Sequence, residues 1–368
     1  MFDTLRVVTI LGIETSCDET AAAVVENGNR LLSNVVASSM DLHAAYGGVV
    51  PEIAARSHIE SILPVVDQAL ADAFGKKKSA DRGYWNQIDA IAVTYGAGLA
   101  GSLLIGVLTA RTLALAYKKP LYAANHVMGH VYANFITTAS TQSYILPAEP
   151  PEFPMLAIIV SGGHSQLALF RNHFDYVLLG RTHDDAIGEA FDKVAKILGL
   201  PYPGGPSVSQ AAAQGDPNAF DFPKAKLANP YDFSFSGLKT AVLRCAQHAA
   251  GKDYTFPSHE LPGRLNEAQK ADIAAGFQRV AIETVAEKAE RACREFNPRS
   301  VVVAGGVAAN TELRRQLRER LPLPVRFPDI KLCTDNGAMI AALGCYQMST
   351  GQPTADPSSL DISPNLSM

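Results

Sequence analysis

An α/β protein of two domains is what this sequence predicts, on three observations. Its 368 residues are 47% hydrophobic and 18% charged, which is enough chain and apolar surface for two cores. An order of strand, polar turn, strand, strand opens the chain and returns after the Pro-rich stretch LPAEPPEFP at 146–154. Finally, buried runs lead through Gly-rich turns into amphipathic segments, the pattern of parallel β-α-β units.

The first half begins with apolar runs at 7–13, 21–25 and 31–37, read as strands. The turn between the first two carries Glu14, Thr15, Ser16, Asp18, Glu19 and Thr20. It reads either as a solvated hairpin or as a loop facing a phosphate or metal. A long helix then runs to about Ala73, followed by the basic cluster Lys76, Lys77, Lys78 in a polar connection. A strand at 90–94, the turn GAGLAGS, a helix at 103–117 and a strand at 121–124 form one β-α-β unit. HVMGHVYAN follows, starting where that strand ends, the place where functional residues of open α/β sheets collect.

After the link, strands are expected at 155–160, 166–170 and 176–180, with SGGHS as the first turn. DDAIGEAFDKVAKILGL reads as a helix and PYPGGPSVSQAA as a break and restart. Residues 216–263 form a Pro/Gly-interrupted insertion with helical pieces such as SGLKTAVLRCAQHAA. A long helix or two at 265–296, a buried strand at 300–304, GGVAAN opening a helix to Leu321, a short strand at 325–327 and the helical CTDNGAMIAALGCYQM complete the chain. The domains are therefore expected at 1–150 and 151–368, the second with a helical insertion at about 206–263.

The net charge of −4 gives no global positive field, so a nucleic-acid substrate would need a local patch or a partner. Five scattered cysteines without a C-x-x-C pair argue for a reducing compartment, and the cytoplasm is the default. No signal-peptide layout and no run of 18 uninterrupted apolar residues is present, so neither export nor a membrane span is expected.

His126 and His130, four apart on a helix, stack on one face at a workable bite for one metal ion; packing of two buried rings is the plainer alternative. Asp335 is the natural third ligand, or an ordinary helix N-cap. Two imidazoles and one carboxylate leave coordination positions open, which suits a Lewis acid, zinc or ferrous iron. The zinc-peptidase reading fails, because Val127 stands where H-E-x-x-H places its base. VSGGHS offers backbone amides to an oxyanion or is a plain hairpin turn. GGVAAN favours a nucleotide on the turn, a weak signal alone. Glu189, Asp192 and Lys193 at helical spacing mean little singly.

IETSCDET, HVMGHVYAN, VSGGHS, GEAFDKVAKILGLPYPGGP, FSFSGLKTAV, GGVAAN and CTDNGAM, in this order, resemble the tRNA N6-adenosine threonylcarbamoyltransferase family (TsaD), formerly described as O-sialoglycoprotein endopeptidases. The match covers about 7–347, in the bacterial form without a fused kinase domain. The resemblance implies a two-lobed actin-like ATPase, sugar kinase and Hsp70 (ASKHA) fold with a central cleft, and a metal ion, Fe2+ or Zn2+, on His126, His130 and Asp335. It implies that Val160, Ser161, Gly162, Gly163, His164, Asp192, Gly205 and Asn310 bind threonylcarbamoyl-AMP, while Asp18 and Glu19 lie in the phosphate-side loop as candidate proton acceptors. The implied reaction transfers threonylcarbamoyl to N6 of adenosine 37, 3′ of the anticodon, in tRNAs reading codons that start with A. The implied partners are tRNA, a small paralogous subunit of the same fold (TsaB-like) and an ATPase subunit (TsaE-like), with no membrane. Lys76, Lys77, Lys78, Lys224, Lys226, Lys239 and Arg244 are candidate phosphate contacts or ordinary solvated surface. The segments before Val7 and after Gln352 depart from the family core and are expected to fray. The rival from another class is an ATP-dependent phosphotransferase, because the fold hosts both.

Overall fold

The computed structural model describes residues 7–75 and 83–368; Lys76, Lys77 and Lys78 lie outside them. The chain divides into two compact units, Met1–Pro151 with Phe327–Met368, and Glu152–Arg326. The second cut departs from the expectation of one lobe over 151–368. Residues 327–368 return to the first unit because their helix is apolar on every side and lies on that unit's sheet.

In the first unit, β1 (Thr9–Glu14), β2 (Glu19–Glu26) and β3 (Arg30–Ser38) form an antiparallel meander. All of β1 is buried, as its unbroken apolar run requires. The short α1 (Met40–Ala44) precedes α2 (Pro51–Phe74), which starts with Pro51 in its first turn and stops at Gly75, at φ 87°. Next come β4 (Ala90–Gly96), α3 (Ala100–Tyr117), β5 (Leu121–Asn125), α4 (His126–Tyr132) and β6 (Thr138–Ala139). The sheet order is β5-β4-β1-β2-β3-β6, with β4 and β5 parallel to β1. By length and composition α3 could cross a membrane, but Leu103, Val107, Ala110 and Ala114 are buried and the helix packs on α2 and β4.

The second unit repeats the plan. It holds β7 (Met155–Val160), β8 (Ser165–Asn172), β9 (Asp175–Arg181), α5 (Ile187–Leu198), α6 (Gly204–Ala212) and α7 (Ser236–Ala249). It continues with α8 (Glu267–Phe296), β10 (Ser300–Ala304), α9 (Thr311–Arg320) and β11 (Val325–Arg326). Its sheet order, β11-β10-β7-β8-β9, matches β5-β4-β1-β2-β3 strand for strand and direction for direction. The segment read as one helix or two is a single 30-residue α8, started by a reciprocal Asn266–Gln269 capping box.

The closing helix, α10 (Gly337–Ser349), approaches β1 and β2 closely. A methyl group at Gly12 would sit 2.3 Å from the Ala341 amide nitrogen, and one at Gly337 would sit 2.5 Å from the Ala22 carbonyl carbon. Residues 353–368, expected to fray, instead lie on the first unit: the Ala355 amide donates to Leu121 O at 2.8 Å and the Ser363 amide to Tyr95 O at 2.7 Å. Ala355, Leu360 and Ile362 pack against its core, which is why the segment stays down.

Trp85, the single tryptophan, is buried in the first unit against Tyr117 and reports on that unit alone. Gly12→Ala forces α10 off the sheet and costs roughly 3 kcal/mol of overpacking. Urea unfolding followed by Trp85 fluorescence should show the lower midpoint.

Candidate metal centre and binding turns

Three adjacent parallel strands, β1, β4 and β5, form the candidate metal centre at their carboxyl ends. Glu14 closes β1 and is fully buried. Its Oε1 accepts the Ser16 amide at 2.5 Å, while Oε2 accepts the Thr94 hydroxyl from β4 and lies 3.3 Å from His126 Nδ1. Ser16 Oγ is also 3.1 Å from that Nδ1. His126 follows β5 directly, in α4, whose N-cap Asn125 accepts the Met128 amide at 3.1 Å. With Nδ1 engaged, Nε2 is left facing Asp335, at 3.6 Å.

His130, one turn on, places Nε2 3.1 Å from the same Asp335 oxygen. The two imidazoles meet nearly edge to face, 4.7 Å between centroids. One donor atom from each of His126, His130 and Asp335 lies within 4.8 Å of the other two. Asp335 is not the cap of α10: Asn336 is, accepting the Met339 amide at 3.0 Å, so the carboxylate is free for ligation. It belongs to the first unit rather than to the other lobe, and all three ligand candidates therefore sit on one body. The donor set fits a divalent ion, and the carboxylate behind His126 is the orienting partner that ligating imidazoles need. The sequence reading placed Glu14 in a turn that could face a phosphate or metal but missed its role behind His126; its position at the end of a wholly apolar strand was the available signal.

The electrostatics agree. Burial disfavours a charged His126, but Asp335 and then Glu14 outweigh it and lift its pKa from 6.5 to about 9. Burial would raise the Asp335 carboxyl, yet His126 and His130 hold it well below the usual carboxylate range. Glu19 goes the other way, pushed up to about 9 by burial, then by Asp335 and Asp18, with Ser38 donating to it at 3.1 Å. Its carboxyl holds a proton at neutral pH. Burial and the carboxylates of Asp18 and Asp335 likewise push the Cys17 thiol far up, so it is no nucleophile.

In the second unit the remaining predicted residues converge. Ser161 follows β7; its amide donates to His164 O at 2.8 Å and its hydroxyl accepts the His164 amide at 3.1 Å, closing the turn. Gly305, at φ 91°, lies against Val160 and Ser161, where a Cβ would come within 2.5 Å of Val160 O. Asp192, on α5, accepts the Gly204 amide at 2.8 Å and so fixes the start of α6. Asn310 Nδ2 donates to Ser209 Oγ and to Gln278 Oε1, each at 3.0 Å, tying GGVAAN to α6 and α8. Ser209 and Gln278 are partners the sequence reading missed. Gly162, Gly163 and Gly205 face open space, where an added Cβ would meet no atom within 4 Å. The basic candidates are largely engaged: Lys224 pairs with Glu283 and Glu287, Lys239 with Asp185, and Arg244 lies over Tyr254.

A family model described as tRNA N6-adenosine threonylcarbamoyltransferase matches residues 30–342. A protein of that name from Thermomicrobium roseum is 53% identical over 351 residues, covering 93% of this chain and 92% of its own. Another, from Symbiobacterium thermophilum, is 50% identical over 345 residues, covering 93% and 92%. Among solved structures, HypF of T. kodakarensis has a TM-score of 0.59 at 14% identity, over 94% of this chain and 48% of that one. The fold is of the actin-like ATPase, sugar kinase and Hsp70 class.

The native state of the metal-free protein binds protons on His126 and Glu19 that the unfolded chain, with pKa values of 6.5 and 4.5, does not hold at about pH 8. Both folded values are raised, so this stabilisation is complete below the unfolded values and is lost as pH rises through about 9. The Trp85-monitored urea midpoint of metal-free protein should fall between pH 6.5 and 9. Zinc titration by calorimetry in buffers of different ionisation enthalpy should show proton release at about pH 7.5 that vanishes above about pH 9.

Proposed function

We propose a reaction from one premise: the chain belongs to the tRNA N6-adenosine threonylcarbamoyltransferase family. It is an acyltransferase that forms threonylcarbamoyladenosine in tRNA. The ATP-dependent phosphotransferase alternative is not favoured, since relatives at 50–53% identity carry the transferase name over more than nine-tenths of this chain. Beyond that, the donor is threonylcarbamoyl-AMP, the acceptor is N6 of adenosine 37, and the chain works in the cytoplasm, where tRNA is. The observation that carries the reading is the His126, His130 and Asp335 set, with both imidazoles buried, and its Glu14 support.

Gly205 and Asn310 hold the adenine side of the donor, Asp192 its ribose, and Val160, Ser161, Gly162, Gly163 and His164 the phosphate. The open space at Gly162, Gly163 and Gly205 and the rigid Asn310–Ser209–Gln278 triad support this assignment. A divalent ion, Fe2+ or Zn2+, held by His126, His130 and Asp335 would supply a Lewis acid for a carbonyl or phosphate oxygen. The N6 amine attacks the carbamoyl carbon, the carbon–oxygen bond to phosphate breaks, and AMP leaves with the bonding pair. The amine's proton passes to Asp18, beside the already protonated Glu19. Because an aromatic amine is a weak nucleophile, orientation and charge stabilisation carry most of the rate.

A net charge of −4 and lysines already paired with glutamates support a shared tRNA surface. A small paralogous subunit of the same fold and an ATPase subunit complete it.

His126→Ala should abolish both zinc retention and modified adenosine made from the activated donor and transcript tRNA. Activity without the metal would remove the centre from the scheme. Gly205→Ala meets no protein atom and should fold normally, yet raise KM for the donor several-fold with kcat nearly kept; an unchanged KM would move the donor elsewhere.

A further inference from the structure

Residues 353–368 do more than cover apolar surface. Arg111, on α3, anchors the segment through its backbone: Nε donates to Pro357 O at 2.7 Å, Nη2 to Ser358 O at 2.5 Å and Nη1 to Leu360 O at 3.2 Å. The segment then crosses the end of β4, where a Cβ at Gly96 would lie 2.0 Å from Ser363 O. Beyond Ser363, besides the seat of Leu366 against Gly96, it accepts two hydrogen bonds from the first unit. The Gly98 amide donates to Pro364 O at 3.1 Å, and Asn125 Nδ2 donates to Ser367 O at 3.2 Å.

Both contacts lead to His126. Asn125 is the residue before it and the cap of α4, its Oδ1 already committed to Met128. The Ser367 carbonyl takes the other end of that amide and so fixes its rotamer, with Oδ1 toward the helix. Gly98 and Leu99 grip the β1–β2 turn: the Leu99 amide donates to Ser16 O at 2.8 Å, and a Cβ at Gly98 would lie 2.6 Å from the same oxygen. Ser16 in turn lies 3.1 Å from His126 Nδ1 through its hydroxyl. One strap therefore holds the helix that carries both imidazoles and the turn that orients the first of them.

We propose that residues 364–368 are a positioning strap for the metal centre, acting through Asn125 and through Gly98 on Ser16. The inference rests on the metal reading for its function, but the mechanical part stands on hydrogen bonds alone. Loosened supports around a ligating imidazole weaken metal binding without removing a ligand.

The test compares the full chain with one shortened after Ser363, which keeps the Arg111 anchor, the Ser363–Tyr95 bond and the Ala355, Leu360 and Ile362 packing. A second variant, Arg111→Met, keeps every residue of the strap but releases its anchor. Cobalt(II) alone is the probe, by competition with a chelator and by its visible spectrum; amide hydrogen exchange is read on metal-free protein. The shortened chain should bind cobalt roughly 10-fold more weakly, with a shifted spectrum. Its amides at 126–130 and 14–16 should exchange faster, while the Trp85 unfolding midpoint stays put. Arg111→Met should move the same amides. Should the full chain bind no cobalt while those amides still loosen, the strap stands and the metal reading falls. Unchanged exchange at 126–130 and 14–16 in whichever variants fold, or loosening spread evenly through the first unit, overturns the strap.

Discussion

A carboxylate sealed from water must be matched by donors, and Glu14 meets that demand in a way that organises the first unit. It sits at the end of a strand buried on both faces, where an unpaired charge would be costly. Its donors come from its own turn, from β4 and from the residue after β5. Three parallel strands are thereby registered at one point, and His126 is turned with Nε2 outward. The close seat of α10 on Gly12 brings Asp335 opposite. Glu14 touches no substrate in this scheme; it is a positioning residue on which the ligand geometry depends.

The duplicated sheets divide the chemistry. Where β1 ends in Glu14, Thr15 and Ser16, β7 ends in Val160, Ser161 and Gly162. Where β5 runs into the histidine helix, its counterpart β11 runs into Phe327 and Pro328, and the glycine turn at positive φ follows β10, the counterpart of β4. The same strand order thus presents charged ligands in one unit and backbone amides with open space in the other. Sheet topology decides where the turns emerge, and the residues placed there decide what they do.

Much of this was legible in the sequence, for identifiable reasons. Periodicity carried the strands and long helices because burial imposes it, and His126 with His130 was legible because ligand spacing is local. Asp335 was legible as a ligand type but not as a location. Its neighbour Asn336 takes the capping role that was its alternative, and its unit assignment depends on α10 packing against β2, where Cys345 meets Val25 across 320 residues of sequence. Glu14, Ser209 and Gln278 act through partners 32 to 112 residues distant, which no local pattern encodes. The expectation of a fraying end failed for the same reason, since Arg111 secures 357–360 across 246 residues or more.

Charge balance ties the site together. Glu14 and Asp335 flank the two imidazoles, and Glu19 lies near enough to Asp335 and Asp18 to feel their charge, an excess of negative charge that the fold cannot leave bare. Without an ion, the structure answers with protons: His126 gains one and Glu19 keeps one, each near a pKa of about 9. Two protons carry the charge of one divalent cation. A cation on Asp335 would displace the proton on His126 and relieve one of the two carboxylate repulsions on Glu19, but not the burial that is the first cause of its raised pKa. Burial therefore leaves Glu19 protonated, and of the two carboxyls in the loop it is Asp18 that is left to take the amine's proton.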